Sequence, residues 1–201
     1  ISLAASPARL FAQLPESRLD WLQPCGGAPG TTFELTVGGA DLDEATALAF
    51  SHPGITAAVK QTEATDSAPA QPVYGTFVGS IAEDVPAGLY EVRVSGRFGE
   101  SNTRRFMVDR LETVVDSGNN RQLESAQSIS VGQVVDGRIE ANARDYYRLE
   151  LAAGETVTLE GLAPSLDSRA KPIIEVADLD GNELARYRGI PGYTTSDRKS
   201  V

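Results

Sequence analysis

The residues of this chain best suited to chemistry are oxygen-bearing side chains. Glu112, Asp116, Asn119 and Asn120 are followed by Asp136, Glu140 and Asp145. Calcium takes about six to eight oxygen ligands from carboxylates, amide carbonyls and backbone. Glu112, Asp116, Asn119, Asn120, Asp136 and Asp145 are therefore candidate metal ligands, with Ca2+ the one cofactor to test and none required. The competing reading gives Asn119 and Asn120 to the capping of a short helix just beyond them. A second oxygen-rich stretch, Asp178-Leu179-Asp180-Gly181-Asn182-Glu183, begins like a calcium loop. The twelfth position from Asp178 is Gly189, however, where such a loop needs a bidentate Glu. Asp-Gly-Asn there reads as a turn between strands.

Nucleophilic catalysis has little to draw on. A Ser-His-acid triad needs a histidine, and the only one is His52, inside Ser51-His52-Pro53-Gly54, a strand-end turn. The single cysteine, Cys25, precedes Gly26-Gly27 and reads as a small residue beside a glycine-rich turn. Neither G-x-S-x-G nor H-E-x-x-H occurs. The chain is expected not to be an enzyme. Tyr146, Tyr147, Tyr187 and Tyr193 offer aromatic surface for a protein or polysaccharide, although tyrosine is also an ordinary strand residue.

The elements that must position these groups are strands. From Asp145 to Ala185 the pattern predicts three in succession. Tyr147, Leu149 and Leu151 alternate with charged residues, Val157, Leu159 and Leu162 follow a turn at Ala152–Glu155, and Ile173, Ile174 and Val176 lead to the Asp180-Gly181-Asn182 turn. Upstream, Phe33, Leu35 and Val37 alternate after a turn cluster at 26–30. Arg18–Pro24 precedes this series, and Leu48–Phe50, Ile55–Val59, Tyr74–Ile81, Leu89–Val94 and Phe106–Val108 complete about seven short strands at sandwich-like spacing. Residues 61–72 read as an exposed loop, Leu123–Gln127 as a short helix, and Arg104-Arg105 as part of a solvated sheet face.

The 201 residues suit one or two domains, and a hydrophobic share of 41% supports real cores. A net charge of −10 with no basic face argues against nucleic acid. No stretch approaches the roughly 20 apolar residues of a membrane-spanning helix. One cysteine leaves no internal disulfide and does not by itself indicate secretion.

Residues 18 to 109 resemble the IPT/TIG type of immunoglobulin-like domain. The resemblance rests on Trp21-Leu22-Gln23-Pro24, Gly26, Gly27, Gly30-Thr31-Thr32, Leu35-Thr36-Val37-Gly38-Gly39, Asp41-Leu42, Ala49-Phe50 and Val85-Pro86-Ala87-Gly88-Leu89-Tyr90-Glu91-Val92-Arg93-Val94. The later part resembles the bacterial pre-peptidase C-terminal domain, a module of secreted peptidases and large surface proteins. Its match is carried by Val135-Asp136-Gly137, Asp145-Tyr146-Tyr147, Leu151-Ala152-Ala153-Gly154-Glu155, Leu166-Asp167 and Asp180-Gly181-Asn182-Glu183-Leu184-Ala185. Some relatives of that module hold calcium between an acidic linker and a loop before the Asp-x-Tyr strand, which implies the same use for the acidic series above. The family continues through further strands, so this sequence is expected to be a fragment of a longer protein or an abbreviated variant.

The resulting expectation is an all-β chain of two tandem β-sandwich domains, immunoglobulin-like then jelly-roll-like. Residues 1–17 are a lead-in, 18–110 the first domain and 111–201 an incomplete second. The implied role is a non-catalytic module for binding, adhesion or spacing in a larger secreted, periplasmic or cell-surface bacterial protein. Its partners would be a protein or polysaccharide surface and further domains of the same polypeptide. The alternatives are an accessory segment of a secreted peptidase whose catalytic domain lies elsewhere, and a calcium-dependent binding module.

Overall fold

The computed structural model describes residues 15–188. The chain is all-β, and its first half is a sandwich. β1 (Arg18–Gln23), β3 (Thr32–Ala40), β6 (Pro72–Ile81) and β5 (Ile55–Gln61) form one antiparallel layer in that order. β4 (Ala47–Phe50), β7 (Gly88–Gly96), β9 (Arg104–Val108) and β2 (Gly26–Gly27) form the other, with the short β8 (Gly99–Glu100) beside β7. A single residue pair, Ala47 with Ala58, links the layers through β4 and β5. Leaving aside β2 and β8, this is the strand arrangement of a constant-type immunoglobulin sandwich, four strands facing three.

Alternation along each strand builds the core. Leu19, Leu22, Leu35, Val37, Ile55, Phe77 and Ile81 point inward from one layer, and Leu48, Val92, Val94, Phe106 and Val108 from the other. The Phe106 ring sits between Phe33 and Phe50, with centroids 5.3 and 5.2 Å away. Every buried apolar side chain among the described residues lies between Leu19 and Val108.

Gly26 and Gly27, expected in a turn, are a strand instead. They pair in parallel with Met107 and Val108 of β9, so the chain passes from one layer to the other right after β1. A side chain at Gly26 would run into the Met107 carbonyl, so glycine is needed there for close backbone approach rather than for turning.

The second half consists of strand pairs. β10 (Glu112–Val115) runs parallel to β12 (Gln133–Asp136), and β11 (Gln127–Ile129) parallel to β13 (Tyr147–Leu149). β14 (Ile173–Ala177) and β15 (Glu183–Arg188) form an antiparallel hairpin, turning at Asp178–Asn182 as expected. Single 3-10 turns lie at Leu123–Ser125 and Pro164–Leu166. The described strands of this half form three two-stranded sheets, whereas a jelly roll has eight strands in two sheets. The expected middle strand through Val157, Leu159 and Leu162 has no regular structure. A strand requires a neighbour for its backbone hydrogen bonds, and the described residues supply none there. Most of the lead-in, the polar tail and Tyr193 lie outside the described residues.

Candidate functional site

The fold gathers part of the oxygen-rich series where the segment 145–147 is bonded to the stretch 116–120 that follows β10. Asp116 follows directly after β10, and its Oδ1 accepts a hydrogen bond from the Tyr147 hydroxyl at 3.0 Å. Asn120 is fully buried. Its backbone carbonyl accepts the Tyr146 N–H at 2.7 Å, and its Nδ2 donates to the Tyr146 carbonyl at 3.3 Å. These bonds fix the Asp-Tyr-Tyr segment against the loop. The side-chain oxygen of Asn120 is left buried with no partner.

Asp145 lies in the same place, its side chain 10% exposed. Its Oδ1 is 3.4 Å from Arg121 Nε, an ion pair without a hydrogen bond of good geometry. Glu140 lies 3.8 Å from the same guanidinium. Burial raises the Asp145 carboxyl above its ordinary range, Arg121 pulls it back, and Asp116 and Glu140 raise it further. The Tyr147 hydroxyl is pushed up to about 12, first by burial and then by its bond to Asp116.

Of the other three predicted ligands, Glu112 and Asp136 are engaged elsewhere and Asn119 is exposed. Glu112 accepts from Gln133 Nε2 at 2.8 Å on an exposed surface. Asn119 gives its backbone N–H to Ser117 Oγ. Asp136 is buried and turns toward the first half, where its Oδ2 accepts the Cys25 N–H at 2.6 Å and the Cys25 thiol at 2.7 Å. Among the described residues, no group of three or more His, Cys, Asp or Glu side chains is arranged to hold a metal ion. The oxygens that converge come from Asp116, Asn120 and Asp145, and the Arg121 guanidinium already supplies positive charge beside them.

The residues considered for catalysis hold structural positions. His52 Nδ1 accepts the Gly54 N–H at 3.1 Å, and the His52 ring meets Tyr90 edge-on at 5.3 Å. The Cys25 thiol is raised well above its ordinary range, by burial first and by Asp136 second. A thiol held protonated is a poor nucleophile.

Several groups at the junction between the halves were not singled out from sequence. The Arg138 guanidinium lies over the Trp21 ring at 3.9 Å. Arg104, expected on a solvated face, donates to the Asp167 carbonyl at 3.1 Å and to the Asp20 carbonyl at 2.6 Å. Arg105 donates to the Ser165 carbonyl at 3.1 Å and pairs with the Asp167 carboxylate at 3.5 Å. The local signal for these roles is slight, because each partner lies 60 or more residues away in the chain.

No family model and no curated protein sequence matches this chain. One solved structure with a detectable likeness is the Bacteroides ovatus mixed-linkage glucan utilization locus SGBP-B in complex with a mixed-linkage heptasaccharide. It is 17% identical, with a TM-score of 0.31, over 54% of this chain and 24% of that one.

Proposed function

We propose that this chain is a non-catalytic segment of a larger bacterial surface or secreted protein, serving in spacing, adhesion or binding. In this reading the first half is an IPT/TIG-like spacer and the second a pre-peptidase-C-terminal-like module. The observation that carries it is the structural use of the one cysteine and the one histidine: the Cys25 thiol donates to Asp136, and His52 closes a turn on Gly54. Exposed apolar side chains of the second half, such as Val131, Ile173 and Leu184, suit contact with further protein. The test assays the chain against peptide and glycoside substrates and in pull-downs with insoluble polysaccharide. No turnover is expected. Turnover that disappears in His52→Ala or Cys25→Ser would refute the reading.

A calcium-dependent module is the second reading, favoured by Asn120 and Asp145 oxygens that are buried beside Asp116 and accept no hydrogen bond. These residues would hold the ion, whose role would be to tie the loop to the Asp-Tyr-Tyr segment. Calorimetric titration at millimolar calcium should then give heat and a higher melting temperature in the wild type and neither in Asp145→Asn. No heat and no shift in the wild type would remove it.

A further inference from the structure

The two halves meet at contacts of opposite character. At one end the Asp136 carboxylate, 6% exposed, receives both Cys25 donors, and Arg138 covers Trp21 nearby. β12 carries Asp136, and the backbone N–H of Asp116 donates to the Asp136 carbonyl at 2.7 Å, so this end is built into the second half's own strand pair. At the other end the Pro164–Leu166 turn lies on β9. It is held by Arg104 and Arg105 through the Ser165 and Asp167 carbonyls and the Asp167 carboxylate. The ion pair there is open to solvent, its side chains 48% and 36% exposed. Asp167 itself adopts a left-handed conformation, φ 58°, that aims its carbonyl and carboxylate at the two arginines.

Interfaces between domains move by default unless they are large and apolar. This one is polar, and its two ends differ in exposure. Surface ion pairs are worth little and are screened by salt, whereas hydrogen bonds to a buried carboxylate are costly to break.

We propose that the junction is a pivot and a strap: Asp136 on Cys25 is the fixed pivot, and the 164–167 segment is a strap that releases from Arg104 and Arg105 while the pivot stays closed. The inference does not depend on the surface-protein reading above. Opening then proceeds in a fixed order, and it frees the outer side of β9 without disturbing the sandwich.

The intact chain offers separate reporters for the two ends. Trp21, the only tryptophan, and the alkylation rate of Cys25 by iodoacetamide both report the pivot. Small-angle X-ray scattering reports the strap. In Arg105→Glu, which repels Asp167 and leaves the Arg104–Asp20 bond in place, the scattering envelope should lengthen while the Trp21 spectrum and the slow alkylation stay as in the wild type. In Asp136→Ala, alkylation should accelerate by at least about tenfold, because removing the carboxylate uncovers the thiol and lowers its pKa, and the Trp21 spectrum should change. Raising salt from about 0.05 to about 1 M screens the Arg105–Asp167 pair and should move the wild type part of the way toward the arginine variant, which keeps the test decisive if a variant fails to fold. The proposal is overturned if the arginine variant changes Trp21 and alkylation as much as Asp136→Ala does. Unchanged scattering in both the arginine variant and high salt overturns it too.

Discussion

Truncating Phe106 should be far more costly than truncating any apolar residue of the second half. Phe106 is fully buried, with one ring neighbour at 5.3 Å from β3 and another at 5.2 Å from β4, so its loss opens a cavity between the two layers. Phe→Ala at such a site costs about 3–5 kcal/mol, from lost transfer energy plus a void that collapses only in part. Ile173, on β14, is 52% exposed, and Ile173→Ala removes side chain already largely in water. It should cost about 1 kcal/mol or less. The natural assay is urea unfolding followed by Trp21 fluorescence. Trp21 lies on β1 with its indole against Gly38 of β3, so its signal reports the sandwich itself. With a urea slope near 2 kcal/mol per molar, Phe106→Ala should lower the midpoint by roughly 2 M. That is a large part of the ~5–15 kcal/mol typical of a folded domain. A loss below about 1 kcal/mol for Phe106→Ala, or equal losses for the two variants, would refute the conclusion that the apolar core of the described residues is confined to the first half.

Three further outcomes are expected. The Cys25 thiol is raised in the folded state, so it contributes stability below the ordinary thiol range and loses it as pH rises above that range. The urea midpoint should therefore fall between about pH 8 and 10.5 in the wild type and fall less in Cys25→Ser, whose hydroxyl can still donate to Asp136; parallel curves would contradict this. Gly38→Ala would drive a methyl group into the Trp21 indole, and should destabilise by about 1–3 kcal/mol with a visible change in the tryptophan spectrum. Arg138→Ala removes the guanidinium from the Trp21 face and should cost about 0.5–1 kcal/mol, again read by Trp21, with an unchanged spectrum counting against the contact.

Much of the first half was legible because its strands alternate. Leu35 and Val37, Val92 and Val94, and Phe106 and Val108 stand at period two and all face the core. Gly26-Gly27 misled for a physical reason: glycine serves both turns and close backbone approach, and only the Met107 carbonyl reveals which applies. The Val157 series carries a strand pattern without a strand, since pattern records side-chain preference while pairing depends on a neighbour. The oxygen-rich series was only half informative. Composition gathered Asp116, Asn120 and Asp145, but it could not show that Asp136 turns to Cys25, 111 residues away.

The two halves are held in order by different means. The first buries leucines, valines and phenylalanines between two layers and meets the requirement for an independent core. The second, among its described residues, buries only Asn120 and Asp136, and both are polar. One fixes the Tyr146 backbone and the other fixes the Cys25 donors, so its strand pairs are positioned by hydrogen bonds to a loop and to the neighbouring sandwich. Hydrogen bonds orient well, yet each contributes only about 0.5–1.5 kcal/mol net, against an ordering cost of at least about 1 kcal/mol per residue. With Val131, Ile139, Ile173 and Leu184 exposed, apolar burial adds little to those bonds among the described residues of this half. Its dependence on the sandwich through Asp136 is therefore the first place where disruption of one half would be felt in the other.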